Sequence, residues 1–156
     1  MTYTTPLLQF CRIFKYNCYM NEKLYIETLK NNSLSDTKAR RKIFNILDTH
    51  HDPITMNQLI AIAEPDLDRS TAYRIVDVFE KVGIIIRVYT GWKYRIELSE
   101  VFSSHHHHLS CSRCGSIIAF EEPPELDSSL HAIAYKQGYK LQTHSLELKG
   151  ICRACR

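Results

Sequence analysis

The sequence of residues 68–98 is DRSTAYRIVDVFEKVGIIIRVYTGWKYRIEL, and its hydrophobic period changes near the middle. Before Gly83 the apolar side chains recur at the spacing of one helix face; Asp68 can cap the start of that helix, and Gly83 suits the position just after its end. After Gly83, β-branched and aromatic residues fill two short runs, residues 84–89 and 93–98, joined by Thr-Gly-Trp. The stretch therefore predicts a helix followed by a β-hairpin.

Two shorter helices are predicted upstream of this stretch. From Asp36 or Thr37 to Leu47, apolar residues recur at the three-and-four-residue spacing of a buried helix face. Thr55 can cap a second helix, which Pro65 ends. Three short helices followed by a hairpin are the element order of a winged helix-turn-helix domain.

The composition changes abruptly to His and Cys after a short polar link at residues 99–104. We predict an α+β protein with two domains. An N-terminal winged helix-turn-helix occupies residues 21–100, and a small α/β zinc-containing domain for metal binding and dimerisation occupies residues 101–156. Residues 1–20 match no motif in the rest of the chain, so they are treated as an N-terminal extension of unknown role.

The second domain carries its own pattern of strands and one helix. A strand pair is predicted around residues 109–120, and a final strand from Lys140 to Ile151. Pro124 can begin a helix between them and Gly138 can end it. The residues predicted to face inward from this helix are Leu126, Leu130, Ile133 and Ala134.

The overall composition bounds the function classes. With 156 residues, 44% hydrophobic and 24% charged, the chain has the content of a folded soluble protein. Its net charge is only +3, and residues 21–100 hold twelve Lys/Arg against twelve Asp/Glu, so bulk charge gives little support for nucleic acid binding. No apolar run approaches the roughly 18–20 residues that span a bilayer, and no signal peptide pattern opens the chain, so a cytoplasmic protein is expected.

Two Cys-x-x-Cys pairs give the most specific chemical signal in the sequence. They are Cys111-Ser-Arg-Cys114 and Cys152-Arg-Ala-Cys155. A two-residue spacer lets both sulfurs face one ion at about 2.3 Å, and four thiolates form a closed tetrahedral zinc site with a structural role. A redox dithiol is the competing interpretation, and the absence of a βαβ start before either pair disfavours it.

Four consecutive histidines, His105 to His108, precede the first pair. On a strand, His105 and His107 face one way while His106 and His108 face the other, which divides the run into two half-sites on opposite faces. His131 is expected to be an ordinary surface or core histidine. The candidate partners for the two half-sites are Glu125, Asp127 and His144 in the same domain, Glu97 at the end of the wing strand, and His50 and His51 before the second helix.

DNA contacts are predicted on the third helix, because the outward residues near its N-terminus would enter the major groove. Those residues are Arg69, Ser70, Thr71, Tyr73 and Arg74. A basic cluster at the start of the first helix could hold backbone phosphates; it comprises Lys38, Arg40, Arg41 and Lys42. The hairpin, or wing, adds Arg87, Lys93 and Arg95. The alternative is a solvated helix face with scattered cations.

From about Leu29 to its end, the chain resembles the ferric uptake regulator family of bacterial metal-dependent repressors. The resemblance rests on several separated motifs in the right order: Leu34-Ser-Asp-Thr37-Lys-Ala-Arg40, Ser70-Thr-Ala-Tyr73-Arg74, Tyr94-Arg-Ile-Glu97-Leu, the His105 to Cys114 run, and His144-Ser-Leu-Glu-Leu-Lys-Gly-Ile-Cys152-Arg-Ala-Cys155. It implies a homodimer, formed through the second domain, that binds an AT-rich inverted repeat in double-stranded DNA when loaded with metal. It further implies repression of metal-uptake genes, with zinc or ferrous iron as the co-repressor.

The resemblance also implies three metal sites. The structural zinc falls on Cys111, Cys114, Cys152 and Cys155. A second site falls on His105, His107, His144 and a carboxylate near the helix start, Asp127 or alternatively Glu125. An interdomain sensing site falls on His51 or His50, Glu97, His106 and His108. Ala119 stands where the family has a further carboxylate for this last site.

The sequence thus leads to two hypotheses. In the first, the protein is a metal-dependent DNA-binding repressor and not an enzyme, since no general base stands beside an open metal site. In the alternative, it is a winged-helix protein that binds DNA constitutively and whose zinc is purely structural. The two differ in whether metal changes DNA affinity.

Overall fold

A computed structural model describes residues 21–50 and 52–156. The extension at residues 1–20, with Cys11 and Cys18, lies outside the described residues, and so does His51. The elements are α1 through residues 21–31, α2 Lys38–Asp48, α3 Met56–Ala63, α4 Arg69–Lys81, β1 Ile85–Thr90, β2 Lys93–Leu98, β3 His106–Cys111, β4 Ile117–Glu121, α5 Pro124–Lys136, β5 Glu147–Gly150 and a 3-10 helix Arg153–Cys155. None of the helices in these two ranges has the length and apolar content needed to cross a membrane.

Side-chain caps begin the three predicted helices of the first half. The Thr37 hydroxyl accepts a hydrogen bond from the amide of Arg40, and the Asp68 carboxylate accepts one from the amide of Thr71. Thr55 and Gln58 form a reciprocal capping box at the start of α3. The predicted order of three helices and a hairpin is confirmed.

A further helix, α1, precedes these three and was not predicted. Its Tyr25 and Leu29 are 0% and 1% exposed, and the Tyr25 ring stacks on Phe44 of α2 with 4.3 Å between ring centroids. Fully burying a side chain of this size contributes about 1.5–3 kcal/mol. Helix α1 therefore belongs to the core of the winged-helix half, together with Phe79 of α4.

The β1–β2 hairpin forms the wing. Its strands pair antiparallel from Ile85 opposite Leu98 to Thr90 opposite Lys93, so the loop contains two residues rather than the predicted three. Gly91 adopts a φ of 65°, which glycine reaches without steric cost. One face of the hairpin packs on the helices, where Ile85 and Ile96 are buried.

The second half is a three-stranded sheet of order β4-β3-β5 with the helix α5 beside it. Strand β3 is antiparallel to β4 and parallel to β5. The predicted final strand is shorter than expected, since residues 140–146 lie outside β5. The inward face predicted for α5 is confirmed only in part: Leu126, Leu130 and Ala134 are half-buried, whereas Ile133 is 60% exposed and no residue of the helix is fully buried. Periodicity identified an apolar stripe, and the described residues cover it only in part.

Candidate metal centres and DNA-contacting helix

The four predicted zinc ligands converge at one end of the three-stranded sheet. Cys111 ends β3, Cys114 lies in the turn that follows, and Cys152 and Cys155 flank the 3-10 helix at the end of the chain. Their sulfurs all lie within 4.8 Å of one another, with 3.7 Å between those of Cys114 and Cys152. This spread approaches that of ligands around one zinc ion, with Zn–S bonds of about 2.3 Å.

The electrostatics of this cysteine cluster call for a cation. The backbone amide of Cys152 donates to the Cys111 sulfur at 3.3 Å, and this contact, together with the backbone amides of Cys114 and Arg113, lowers the pKa of Cys111 to about 6. Hydrogen bonding with the thiols of Cys152 and Cys114 raises the pKa of Cys155 to about 12. Four thiolates this close repel one another unless a cation lies between them, so the residues fit a tetrahedral Zn²⁺ ion.

A second cluster joins the start of β3 to residues that follow β4 and precede β5. It consists of His105, His107, Glu122 and His144, whose ligand atoms also lie within 4.8 Å of one another. His144 Nε2 lies 3.3 Å from the Nε2 atoms of both His105 and His107, and 3.1 Å from Glu122 Oε1. His107 is 2% exposed, so the cluster is partly enclosed.

The carboxylate in this cluster differs from the predicted one. Asp127 lies on α5, where its Oδ1 is 3.2 Å from Nδ1 of His131, and Glu125 is exposed in the first turn of that helix. Glu122 precedes the Pro123-Pro124 pair that starts α5, and it therefore stays beside the sheet. An acidic residue just ahead of a proline that begins a helix is the signal that could have identified Glu122.

Glu122 also supplies a test of whether this cluster fits a metal ion. Its Oε1 atom is buried and has no hydrogen-bond partner among the described residues, although two imidazole nitrogens lie within 3.6 Å. Buried carboxylate oxygens are normally satisfied by donors. Lone pairs that converge without hydrogen-bond geometry fit a bound cation.

The third cluster joins the wing to the second half. Glu97, at the end of β2, lies with Oε2 3.1 Å from Nε2 of His108 and 3.4 Å from Nε2 of His106. Glu97 is 5% exposed, and its Oε1 and the His106 Nε2 are buried without a hydrogen-bond partner within the described ranges. The alternation predicted for the histidine run is confirmed, since His105 and His107 lie in one cluster and His106 and His108 in the other. This set also fits a cation.

The histidine predicted to complete this third cluster from the first half is not placed there. His51 lies outside the described residues. His50 follows α2, where its Nδ1 lies 2.7 Å from the carbonyl oxygen of Ile46, and it is not grouped with the cluster. The cluster therefore has three ligands among the described residues.

Hydrogen bonds made by two residues of the first half, Asp52 and Arg95, flank the third cluster. Asp52 Oδ1 accepts from the backbone amide of Ala119 at 2.9 Å, and Ala119 lies opposite His108 in the β3–β4 register. The Arg95 guanidinium donates to the carbonyl oxygen of Gly115 at 3.2 Å, and Gly115 directly follows Cys114 of the first cysteine pair. The winged helix thus contacts the second half both beside the cluster and near the cysteines.

Replacing Glu122 by glutamine should weaken metal binding at the second cluster at least about 10-fold, because removal even of outer groups costs that much at metal sites. The matched control is Asp127→Asn, for which the geometry predicts unchanged affinity. Competition titration with a chromophoric chelator, on protein whose cysteine zinc is intact, measures both. Equal losses in the two variants would show that Asp127 binds the metal as well.

Helix α4 presents the predicted DNA-contacting residues. Arg69 and Arg74 are exposed, and the Arg69 guanidinium lies 5.7 Å from the centre of the Tyr73 ring. Ser70 and Thr71 surround the Asp68 cap, where the Ser70 hydroxyl donates to the carboxylate at 2.6 Å. The cations and the phenol therefore share the start of this helix.

The basic cluster of α2 is less available for contacts with DNA phosphates than the sequence suggested, because intramolecular partners occupy most of its cations. Arg41 forms ion pairs with Glu22 and Asp36, and Arg40 donates to the carbonyl oxygen of Ser35 at 2.5 Å. Lys38 is exposed and makes no ion pair within residues 21–50 and 52–156. Lys42 forms an ion pair with Asp66. Of the four predicted phosphate contacts, Lys38 is therefore the one that has no such partner among the described residues.

A winged helix followed by a sheet with one cysteine cluster and two histidine–carboxylate clusters defines a class of metal-binding DNA-binding proteins. The sequence matches the ferric uptake regulator family over residues 31–149. The ferric uptake regulation protein of Campylobacter jejuni is 34% identical over 135 residues, which cover 81% of this chain and 83% of that protein. The chain belongs to the ferric uptake regulator family of metal-responsive transcriptional regulators.

Solved structures show the same fold. The Helicobacter pylori ferric uptake regulator, described as having three functional metal binding sites, superposes with a TM-score of 0.74 at 25% identity over 88% of this chain and 92% of that one. A zinc-bound manganese uptake regulator superposes with a TM-score of 0.65 at 31% identity over 81% of this chain and 96% of that one. The predicted winged-helix α+β class is confirmed.

Proposed function

We propose that this chain represses metal-uptake genes by binding an AT-rich inverted repeat as a metal-loaded homodimer. The observation that carries the proposal is the cluster of Glu97, His106 and His108, which joins the last wing strand to the first strand of the second half. A cation bound there would restrain both halves at once. We place the protein in the cytoplasm, with no catalytic role.

The mechanism follows from the position of Glu97 at the end of the wing. A bound cation supplies the positive charge that holds one carboxylate and two imidazoles around a common point. Glu97 then keeps the wing beside β3. The side chains of Asp52 and Arg95 restrain the two halves in the same arrangement through their hydrogen bonds to the backbone of the second half. Metal acts as an effector if the cation binds this DNA-competent arrangement more tightly than others.

Dimerisation is supported by the uncovered surface of the second half. Helix α5 buries none of its residues within one chain, and Ile133, Tyr135 and Tyr139 are 60%, 83% and 74% exposed. Exposed large apolar side chains concentrated on one element indicate an interface. A two-fold dimer through this face would present two α4 helices, which matches an inverted repeat.

The role of each cluster follows from whether its ligands leave a coordination position of the metal ion free. The four cysteines leave no free position, so we assign them structural Zn²⁺. The two histidine–carboxylate clusters are assigned regulatory Zn²⁺ or Fe²⁺, because imidazole and carboxylate ligands suit both ions. The Helicobacter pylori relative, with its three functional metal binding sites, supports this assignment of three sites.

DNA contact is assigned to the exposed start of α4, with Lys38 adding a phosphate contact from α2. Arg74 is suited to a forked contact with guanine or a phosphate, and Tyr73 to a thymine methyl group or a phosphate. The other residues assigned to this surface are Arg40, Arg41, Arg69, Ser70 and Thr71, and Arg40 and Arg41 would have to exchange their present partners for phosphates.

The test is DNA affinity with and without regulatory metal. The probe is the duplex that the Zn²⁺-loaded chain selects from a random-sequence pool, and fluorescence anisotropy measures binding before and after mild chelation that spares the cysteine zinc. We expect added Zn²⁺ or Fe²⁺ to tighten binding by about 5- to 150-fold, the usual size of an allosteric coupling. Equal affinity in both states, with an intact fold, would instead establish the constitutive DNA-binding protein.

A further inference from the structure

The tip of the wing carries an indole that is almost completely exposed. Trp92 is 99% exposed, more than any other large hydrophobic side chain of the described residues, and Tyr89 nearby is 58% exposed. Trp92 follows Gly91 in the two-residue loop between β1 and β2. Exposed apolar surface that makes no contribution to the core is characteristic of binding sites.

Aromatic side chains connect this tip to the DNA-contacting helix. The rings of Tyr89 and Tyr94 face each other across the hairpin, with 6.0 Å between their centroids. Tyr94 and Tyr73 of α4 both pack against the same core. Burial raises the pKa of Tyr94, the guanidinium of Arg87 opposes that shift, and the nearby phenol of Tyr73 adds to it. Aromatic residues therefore extend from the wing tip to α4, the helix to which DNA contact is assigned.

The charge at the tip favours a polyanion. Of the three wing cations, Arg87 is paired with two carboxylates of α4, and Arg95 donates to Gly115 in the second half. Lys93 is exposed, and its ammonium group forms neither an ion pair nor a hydrogen bond within residues 21–50 and 52–156. A free cation directly beside an exposed ring is the combination that neutralises a phosphate and covers sugar or base surface.

We propose that Trp92 and Lys93 form a second DNA contact, outside the one made by α4. The indole packs against the sugar and base edges of the minor groove next to the half-site, while Lys93 neutralises a phosphate there. This inference rests on the proposed DNA-binding function, because the surface extends the one around Tyr73. On α4 the Arg69 guanidinium lies over the Tyr73 ring, so a second exposed cation adjoins the aromatic residues, and this positive charge favours DNA over an uncharged partner.

The chain reports on this contact directly, because Trp92 is its one tryptophan. Its emission is recorded at the red edge of the absorption band, where tyrosine does not absorb, with the duplex selected by the Zn²⁺-loaded chain. We expect DNA to shift the emission and to protect the indole from acrylamide quenching. Trp92→Ala should weaken DNA binding by roughly 5- to 20-fold, in the range of one aromatic–base contact, and Trp92→Phe should retain most of the affinity. Lys93→Ala should lower the salt dependence of binding by about one phosphate contact.

The control is Val101→Ala, which removes exposed apolar surface outside the wing, where Val101 is 63% exposed. It should leave DNA affinity unchanged, and all variants should keep wild-type zinc content and melting temperature. Wild-type affinity in Trp92→Ala, with no change in quenching on adding DNA, would overturn this inference but not the regulator. If the indole became protected from acrylamide as the protein concentration rose without DNA, the inference would be overturned, and Trp92 would instead contact a second copy of the chain. If the Zn²⁺-loaded wild type binds no duplex at all, the proposed function fails first.

Discussion

Cys114→Ser is expected to release the structural zinc and to unfold the second half while the winged helix stays folded. Structural zinc contributes about 10–16 kcal/mol of apparent binding free energy in zinc-finger peptides. Whole domains are stable by only about 5–15 kcal/mol, so few of them can lose such a contribution. Elemental analysis should show zinc per chain falling towards zero, and sedimentation should show loss of the dimer.

The uneven distribution of the core explains why only one half should be affected. The first half buries a continuous cluster that includes Tyr25, Phe44 and Phe79. Within residues 105–156, Cys111 and Ile117 are the buried apolar side chains. A unit of this size with so small a core needs a metal or a partner to fold.

The control for this prediction is Cys18→Ser, which changes a cysteine outside both Cys-x-x-Cys pairs. It should retain zinc and the melting curve of the wild type. Helical circular dichroism should persist in Cys114→Ser, because α1 to α4 belong to the other half. A Cys114→Ser protein with full zinc and an unchanged dimer would remove Cys114 from the ligand set.

The histidine clusters show what sequence pattern can predict. In a strand the side-chain period is two, so four consecutive histidines must divide between the two faces. That argument required no knowledge of the rest of the fold, and the structure confirms it. The caps at Thr37, Thr55 and Asp68 were predictable for the same reason, since each depends on neighbours within three residues.

Features that depend on distant contacts could not be predicted in the same way. The start of α5 at Pro124 was predicted, but Glu122 reaches its cluster through the pairing of β3 with β4, which sets Glu121 opposite His106, and sequence pattern does not give that register. Helix α1 is held by the stacking of Tyr25 on Phe44, nineteen positions along the chain. The stripe on α5 was visible in the sequence, but whether the same chain covers it is a property of the packing.

The double substitution His106→Ala and His108→Ala should abolish the effect of metal on DNA binding while leaving the fold and the cysteine zinc intact. These two histidines and Glu97 are the described residues through which one ion would contact both halves. With the imidazoles removed, the cation has no differential affinity for the DNA-competent arrangement, so the coupling disappears. The expected affinity in saturating Zn²⁺ is that of the metal-free wild type, about 5- to 150-fold weaker than the loaded protein.

The double variant leaves the buried carboxylate of Glu97 without its two imidazole neighbours, so the loss of metal dependence has to be separated from any change in the stability of the wing. A second variant, Glu97→Gln, separates the two effects because it removes the ligand charge and keeps the shape of the side chain. Both should lose metal dependence of anisotropy, whereas His131→Ala, an exposed histidine on α5, should keep it. Since the Asp52 and Arg95 contacts persist in every variant, metal-dependent binding that survived in all three would place the coupling in those contacts or in the second cluster instead.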